Sequence, residues 1–501
     1  MNLNRMQLSR GVTTWACALG ILLAATSVAS PQAIKPEVEN AQIERVIDGL
    51  RPSVAIKGHP SARWTLAERM ASSHTPAVSI AVIDKGKIVW ARGFGVKEAD
   101  KTDPVTTSTL FQAQSISKAI TATAALALVS SGRLSLDTPV NKYLKSWKIP
   151  DNEYQTTEKV TLRRILSHTS GMTVGGFPGY RSGDSIPTLL QILNGEKPAN
   201  NPPIRVDFTP GSKSRYSGGG IVVLQQLLVD QTGLPFPDLM NKLVLTPAGM
   251  SQSTFEQPLP EARWADAGSG HDNDGKVIKG RWPIHPEMAA AGLWTTPTDL
   301  AKWALQVTAA WKGQNSSLLS KTIATDMLSV QMEPYGLGVE LRGAGPTLEF
   351  SHAGSNSGFR AMVVMFPAEG KGAVIMTNGD GGDSIIGQLL TSIATEYQWP
   401  SRKQVEREVV PMSVESQEAI MGIYSLRPGP SGENVTFEVT RKDGMLYGQI
   451  KGLGPRPPQT LFPSSPTSFF TIGGVDFSFT LDSSGRAINI TFGDIVGTRM
   501  P

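Results

Sequence analysis

Ser115 and Lys118 are the residues whose types and spacing most directly suggest chemistry, because they form the one S-x-x-K sequence of the chain, Ser115-Ile116-Ser117-Lys118. Residues three positions apart share a face of an α-helix, so the hydroxyl and the amine can meet. A serine hydroxyl becomes a nucleophile when an adjacent base accepts its proton, and burial lowers the pKa of a lysine toward that role. The same spacing also arises by chance, so the prediction of nucleophilic catalysis depends on its context.

The segment that carries these two residues is predicted to be a buried helix. Residues 115–131 are rich in Ala, Leu and Ile, and Gly132 follows as a suitable C′ residue. A helix that begins at Ser115 would offer free backbone N–H groups and positive potential to an oxyanion. The helix would therefore position both the nucleophile and its base.

The elements around this helix indicate an α+β fold. Two β-rich runs, 77–83 and 87–93, are joined by Asp84-Lys85-Gly86 and predict a hairpin. Residues 140–345 are mostly helical segments among Pro- and Gly-rich loops, such as a helix at 221–232 that Gly233 ends. Strands return after residue 347, and a helix is predicted at 383–397. This order predicts an antiparallel sheet flanked by helices, with a mostly helical subdomain inserted.

The sequence pattern changes in the last part of the chain. Residues 401–410 are charged and are predicted to form a linker. From residue 411 to residue 501, short alternating runs are separated by turn signals, which predicts a small antiparallel β-barrel of lipocalin-like type. Its Phe and Ile residues are interpreted as core rather than as a ligand site. The sequence predicts these strands: 420–425, 435–440, 446–450, 468–472, 477–481 and 488–492.

Several motifs, in the expected order along the chain, resemble the class C β-lactamase-like and penicillin-binding-protein-like serine hydrolases. The resemblance runs from about Pro76 to Asn378, and residues 411–501 resemble the small barrel appended to many such enzymes. It implies a β-lactamase/transpeptidase-like hydrolase domain over residues 30–400. The motifs that carry it are Phe111–Ala122 around the S-x-x-K, Leu162–Gly171, Pro210-Gly211 with Tyr216-Ser217, Ala290–Leu293 with Thr295–Leu300, and His352-Ala353-Gly354.

The resemblance implies a role for each matching position. Ser115 matches the acylated nucleophile, and Lys118 and Tyr216 match the pair that acts as general base and acid. His352 matches a strand residue that contacts the tyrosine and the substrate. The oxyanion hole is expected from the backbone N–H groups of Ser115 and Ser355, where each preorganised donor lowers the barrier by about 3 kcal/mol. The substrate-binding positions that the resemblance implies are Gln114, Gly218 and Gly354.

Two departures from the family pattern bear on the substrate. Gly218 stands where the family has an Asn that binds the lysine and the substrate, and Gln114 is one residue that could replace that donor. His352 stands where a Lys is common, and an ordinary histidine carries little charge at neutral pH. Both changes favour a carboxylesterase-like enzyme that cleaves ester or amide bonds of small substrates through a Ser115 acyl-enzyme.

Other functions stay open at this point. A D-amino-acid peptidase, a DD-peptidase or a β-lactamase would share the same motifs, because substrate pockets are formed by variable loops. A non-hydrolytic sensor of cell-wall fragments is a hypothesis of another class, and Gly218 is its main support. Retention of Ser115, Lys118 and Tyr216 argues for an enzyme. The expected partner is a small molecule or short peptide, and no oligomeric state is predicted.

The N-terminus is predicted to be a secretory signal peptide over residues 1–29. Arg5 and Arg10 precede an apolar run, and Ser27-Val28-Ala29 offers small residues at a cleavage site. The apolar run is shorter than the ~20 residues that span a bilayer, so no transmembrane anchor is expected after cleavage. A secreted or periplasmic location follows from this prediction.

Composition excludes several classes of function. The chain has 501 residues, 47 of them basic and 43 acidic, and no dense basic stretch, so nucleic-acid binding is not expected. Cys17 is the one cysteine and lies within the signal, which leaves no disulfide and no cysteine-ligated zinc. The histidines show no metal-binding spacing, and His168 is interpreted as a turn residue that satisfies backbone groups. Neither a metal nor a cofactor is predicted.

Overall fold

The computed structural model describes residues 36–426, 434–452, 457–493 and 495–501. The chain divides into two units, Met1–Ile43 and Glu44–Pro501, and of the first unit only residues 36–43, the start of a helix, are described. The predicted signal peptide lies outside the described residues. Within the described ranges, no helix is both long enough and apolar enough to cross a membrane.

The centre of the larger unit is a six-stranded sheet in which every neighbouring pair is antiparallel, in the order β3-β2-β9-β8-β7-β6. Two small ladders, β4-β5 and the parallel pair β1-β10, lie outside it. The bounds of these strands are β1 Val54–Ile56, β2 Ala77–Asp84, β3 Lys87–Gly95, β4 Phe111–Gln112, β5 Trp294–Thr295, β6 Glu340–Arg342, β7 Glu349–Asn356, β8 Phe359–Phe366, β9 Lys371–Thr377 and β10 Val405–Arg407.

The helices of the described residues follow the predicted pattern, with a helical middle between the two groups of strands. Residues Val140–Lys142, Glu153–Gln155, Glu261–Asp266 and Gly345–Thr347 are 3-10 helical, and Asn241–Leu245 is π-helical. The α-helices are α1 Pro36–Ile47, α2 Leu66–Ser72, α3 Ile116–Ser130, α4 Leu162–Leu166, α5 Leu189–Asn194, α6 Gly218–Thr232, α7 Phe236–Met240, α8 Thr246–Ala248, α9 Met288–Ala291, α10 Pro297–Lys312, α11 Lys321–Met327, α12 Gly382–Glu396 and α13 Val414–Ile420.

Both faces of the central sheet are covered, which explains why its strands are continuous apolar runs. On one face, Phe350 of β7 packs edge-on against Trp303 of α10, with ring centroids 6.0 Å apart. On the other face, Phe366 of β8 packs against Trp399, just after α12, at 5.2 Å. The predicted hairpin is confirmed as β2 and β3, joined through Lys85 and Gly86 in left-handed conformations.

Helix α3 is buried nearly all round, as its Ala-rich sequence predicts. Its polar side chains are satisfied by neighbouring elements. Thr123 accepts a hydrogen bond from the indole N–H of Trp303, and the hydroxyl of Thr121 donates to the carbonyl of Ala289. Gly132 ends the helix region in the left-handed conformation. The nucleophile helix is therefore fixed by the core on every side.

The C-terminal strands form a closed antiparallel barrel in chain order. Its interior is filled with side chains, among them Tyr424, Phe437 and Phe479, so the interpretation of these residues as core is confirmed. The prediction missed two strands, Gln459–Pro463 and Ile495–Arg499. The barrel strands are β11 Gly422–Ser425, β12 Thr436–Lys442, β13 Met445–Lys451, β14 Gln459–Pro463, β15 Ser468–Phe470, β16 Asp476–Leu481, β17 Ala487–Phe492 and β18 Ile495–Arg499.

The segment 401–410, predicted as a linker, contains strand β10. Backbone hydrogen bonds connect it both to β1 and to the barrel. Val405 pairs with Val54 of β1, and the N–H of Val410 donates to the carbonyl of Pro463 in the barrel. Arg407 forms an ion pair with Asp476. The α+β fold with a C-terminal barrel is confirmed, whereas the exact domain boundaries stay predictions.

Replacement of Gly338 tests the packing behind α3. Gly338 has φ +85°, and an added Cβ would lie 2.2 Å from Cβ of Ala122, whereas Gly132, with φ +74°, has nothing within 4 Å of that position. We expect Gly132→Ala to lower the free energy of unfolding by about 1 kcal/mol, the cost of a left-handed L-residue. Gly338→Ala should lower the free energy of unfolding by about 2 kcal/mol more than Gly132→Ala does, because the chain around residue 338 must move away from α3. Urea unfolding measures both, and equal losses would contradict this packing.

Candidate active site

The predicted nucleophile, Ser115, lies at the turn from β4 into α3. The N–H of Ile116 donates to the carbonyl of Ala113, and that of Lys118 donates to the carbonyl of Ser115, so the helix starts directly at the serine. Gln114, just before it, has φ +51°, a left-handed conformation that is uncommon for a residue with a side chain. Such strain occurs at functional sites where the surroundings enforce it.

Lys118 brings its amine to the hydroxyl of Ser115, with Nζ 2.9 Å from Oγ. A second hydrogen bond, also 2.9 Å, runs from Nζ to the carbonyl of Ala290 in α9. The side chain is buried, and no ion pair between described residues involves it. Burial without a carboxylate disfavours the ammonium and lowers the pKa of Lys118 to about 7.

Tyr216 completes a group of three around the serine hydroxyl. Its hydroxyl interacts with the side chain of Ser115, and its ring centroid lies 5.0 Å from Nζ of Lys118. Burial raises the pKa of Tyr216 well above its usual value. The phenol is therefore neutral and can donate a proton, whereas the amine beside it can accept one.

His168 packs against the ring of Tyr216. Its ring centroid lies 4.5 Å from that of Tyr216, and its Nδ1 accepts a hydrogen bond from the N–H of Ser217. Its φ of +56° confirms the prediction of a turn residue that satisfies backbone groups. Burial lowers the pKa of His168 well below its usual value, so the ring stays neutral. The sequence analysis did not predict its contact with Tyr216.

His352 and Gly354 belong to β7, the strand beside the nucleophile turn. An added Cβ at Gly354 would lie 2.1 Å from the carbonyl oxygen of Ala113, so glycine alone allows this approach. Nδ1 of His352 donates to the carbonyl of Ala353, and its ring centroid is 6.4 Å from that of Tyr216. Burial, with the nearby Lys118, lowers the pKa of His352 to about 4. Ser355 follows Gly354 in the strand, opposite Arg360.

The side-chain amide of Gln114, the candidate for replacing the missing Asn, already donates one hydrogen bond within the protein. Nε2 of Gln112 donates to the carbonyl of Pro283, which fixes that amide and leaves its Oε1 as an acceptor for Nε2 of Gln114. Oε1 of Gln114 is consequently buried and has no partner among the described atoms. Its role in substrate binding stays a prediction.

Gly218 opens α6, where a loop packs closely against it. Its N–H donates to the carbonyl of Gly175, and an added Cβ would lie 3.0 Å from that oxygen and 3.1 Å from the ring of Phe177. The backbone of this loop therefore approaches Gly218 closely. The loop that contains Gly175 and Phe177 therefore occupies part of the space that a side chain at position 218 would fill.

Three polar residues of this region were not predicted. His285 and Glu287 are fully buried near Lys118 and Tyr180, and both carboxylate oxygens of Glu287 lack a partner among the described atoms. Burial raises the pKa of Glu287 to about 8, which favours its neutral form. Glu340 of β6 is the third. No local pattern in the sequence marks these residues, since their burial arises from long-range packing.

No cluster of three or more His, Cys, Asp or Glu that could hold a metal ion occurs among the residues described.

Comparison with known proteins identifies the family of this chain. The Beta-lactamase family model matches residues 63–391. A "Beta-lactamase" of Pseudomonas fluorescens is 25% identical over 346 residues, which cover 63% of this chain and 91% of that protein. "Protein flp" of Staphylococcus aureus strain MW2 is 26% identical over 321 residues, 61% of this chain and 60% of that protein. The chain thus spans less than two thirds of the length of flp.

Solved structures show the same fold. The octameric penicillin-binding protein homologue from Pyrococcus abyssi aligns with a TM-score of 0.57 and 22% identity, over 87% of this chain and 98% of that one. D-alanine carboxypeptidase AmpC from Burkholderia cenocepacia aligns with a TM-score of 0.53 and 21% identity, over 72% of this chain and 99% of that one. At these identities the likeness concerns the fold alone.

The fold is that of the penicillin-binding-protein-like structures to which it is similar. More particularly, the chain belongs to the beta-lactamase family, whose model covers most of the α+β part. The family resemblance inferred from the sequence is therefore confirmed. The activity of this member is a separate question.

The reaction of Ser115 with a fluorophosphonate probe should depend on pH. Lys118 can accept the proton of Ser115 only when its amine is neutral. The neutral fraction of Lys118 rises as pH rises through about 7. We expect the labelling rate to increase between about pH 5 and pH 8 and then to level off. His352→Asn should keep the same midpoint, since the pKa of about 4 lies below this range. A rate that is flat across the range would contradict Lys118 as the base.

Proposed function

We propose that this protein is a hydrolase that cleaves esters of small acyl groups through a covalent acyl-enzyme on Ser115. The observation that carries the proposal is the buried amine of Lys118, 2.9 Å from Oγ of Ser115 and without a carboxylate partner among the described residues. A charged lysine would bind the serine but could not accept its proton. The lowered pKa supports a neutral base at physiological pH.

The reaction proceeds by acylation and deacylation. Oγ of Ser115 attacks the ester carbonyl carbon while its proton passes to the amine of Lys118. The N–H groups of Ser115 and Ser355 stabilise the oxyanion. The ester C–O bond then breaks, Tyr216 donates its proton to the departing alcohol oxygen, and Lys118 returns a proton to Tyr216. In deacylation, water attacks the acyl carbon and gives up a proton to Lys118 and Tyr216. The bond between the acyl carbon and Oγ of Ser115 then breaks, the acid leaves, and Oγ takes a proton back from the same pair.

The charges around the site favour substrates without a carboxylate. His352 is neutral at pH 7 because burial keeps its pKa near 4, so it cannot replace the cation of a Lys-Thr-Gly strand. Arg360, in the next strand, is held by Asp380 and Asp383 and by the carbonyl of Asn356. Neither group is available to bind an anionic substrate. Esters, or amides of small acids, suit this environment better than β-lactams.

A D-amino-acid peptidase, a DD-peptidase or a β-lactamase is the alternative within the family. The names of a matched relative, "Beta-lactamase", and of a solved neighbour, "D-alanine carboxypeptidase", favour such substrates. The missing fixed cation weighs against a carboxylate-bearing substrate. A non-hydrolytic sensor of cell-wall fragments would not need the close grouping of Ser115, Lys118 and Tyr216.

We further propose that the protein works outside the cytoplasm, as its N-terminal sequence suggests, on a small-molecule or short-peptide substrate.

A panel of chromogenic substrates tests the proposal. p-Nitrophenyl butyrate should turn over with kcat/KM at least about 100-fold above that for D-alanine p-nitroanilide or a chromogenic cephalosporin. Ser115→Ala should lower the ester rate by about 1000-fold or more, and Tyr216→Phe by about 100-fold with an unchanged thermal midpoint.

Each other outcome identifies an alternative. Faster cleavage of the anilide or the cephalosporin would contradict the esterase proposal and favour the peptidase or β-lactamase. One burst of p-nitrophenol without further turnover would favour the sensor. Full activity of Ser115→Ala would contradict the mechanism altogether.

A further inference from the structure

A loop of residues 173–179, which we call the strap, joins two walls of the predicted active site. At one end, backbone N–H groups in the first turn of α6 donate to the carbonyls of Val174 and Gly175. At the other end, Nδ2 of Asn356 donates to the carbonyl of Phe177 over 2.9 Å. The strap therefore connects the start of α6 with the end of β7.

The surrounding residues hold the strap in a strained conformation. Val174 has φ +65°, a left-handed conformation that a β-branched residue rarely adopts. Beside it, the hydroxyl of Ser217 donates to the carbonyl of Thr173 over 3.0 Å, and the N–H of Arg205 donates to the hydroxyl of Thr173 over 2.9 Å. Such strain persists where neighbours enforce it, which is typical of functional sites. The position of the strap is thus set by its contacts rather than by its own backbone preference.

The strap lies on the face of β7 that holds the nucleophile turn. Alternate residues of a strand share a face, so His352, Gly354 and Asn356 belong to the same one. At Gly354 this face meets the nucleophile turn, because an added Cβ would lie 2.1 Å from the carbonyl oxygen of Ala113 and 3.4 Å from Cβ of Gln114. The amide of Asn356 holds the strap two residues further along the same face.

Phe177 is the side chain that the strap turns inward. Its neighbours Gly176 and Pro178 are exposed, whereas Phe177 is only 7% exposed. An added Cβ at Gly218 would lie 3.1 Å from Cε2 of the Phe177 ring. The ring therefore packs beside the residue that follows Tyr216 by two positions, while the carbonyl of the same phenylalanine is bound at the end of β7.

The two ends of this stretch of β7 face different parts of an ester substrate. The ring centroid of Tyr216 lies 6.4 Å from that of His352, at the end of the stretch opposite Asn356. In the proposed function Tyr216 protonates the departing oxygen, so the alcohol leaves toward the end that holds His352. The acyl chain, bonded to the same carbonyl carbon, extends the other way, toward Asn356 and the strap.

We propose that Phe177 is a specificity-determining residue that ends the acyl pocket and restricts the enzyme to short, apolar acyl groups. The inference rests on the proposed function and names the acyl group that the site accepts. The ring offers apolar surface to the end of a short chain. A longer chain would have to displace a ring that is packed against Gly218 and tied to Asn356, and such overpacking is unfavourable.

Two series of esters test the inference. p-Nitrophenyl butyrate and octanoate differ in the acyl chain, whereas ethyl and octyl butyrate differ in the alcohol. We expect the unmodified protein to cleave p-nitrophenyl butyrate with kcat/KM at least about tenfold above that for the octanoate. Phe177→Ala should raise the octanoate-to-butyrate ratio by about tenfold, because the space it opens accepts the longer chain, and should change the ratio of the two alcohol esters by less than about twofold.

Phe94→Ala is the matched control, since Phe94 lies in β3, at the edge of the central sheet away from β7. This variant should keep both ratios. Phe177→Leu keeps an apolar side chain and provides the test if Phe177→Ala does not fold. It should raise the octanoate-to-butyrate ratio in the same direction by a smaller factor.

Equal kcat/KM for butyrate and octanoate in the unmodified protein would overturn the inference and leave the esterase proposal intact. A shift of the alcohol series instead of the acyl series in Phe177→Ala would also overturn it, because the ring would then border the leaving group. A uniform loss with every ester in both Phe177 variants would overturn it as well, since Phe177 would then only support the fold. Absence of turnover with every ester in the unmodified protein would contradict the proposed function and this inference with it.

Discussion

The buried amine of Lys118 is the constraint on which the rest of the structure depends. An isolated ammonium in a protein interior is strongly disfavoured, and the chain provides no carboxylate for it among the described residues. The structure instead provides two neutral oxygens, Oγ of Ser115 and the carbonyl of Ala290. To hold the amine there, α3 must be enclosed by apolar residues, and α9 must lie against it. The packing that stabilises the helix is thus the same packing that lowers the pKa of the lysine.

The neighbouring elements set the protonation states around this pair. Burial keeps the phenol of Tyr216 protonated and the rings of His168 and His352 neutral, so the site contains one base and one acid. Strand β7 can approach the nucleophile turn only because Gly354 has no side chain.

Local signals in the sequence predicted those elements whose structure depends on nearby residues. The helix after Ser115 follows from its Ala-rich run and Gly132, and the β2–β3 hairpin follows from alternating residues around Lys85-Gly86. Strands β14 and β18 were missed because Pro457, Pro458 and Gly497 weaken the strand pattern, and pairing within the barrel overrides that preference. The contact of His168 with Tyr216 and the burial of Glu287 were not predictable, since segments far apart in sequence create them. Gly218 could be recognised as a departure, but the loop that packs against it could not.

The most direct test of this account is the pKa of Lys118 itself, measured by NMR in protein labelled with 13Cε-lysine. Lys118→Arg assigns the resonance by its disappearance, and the remaining lysines serve as internal references. The account predicts that the Lys118 resonance titrates with a midpoint near 7, whereas exposed lysines titrate near 10.4. A Lys118 midpoint above about 9 would contradict it, because the amine would then be charged at physiological pH and could not accept the proton of Ser115.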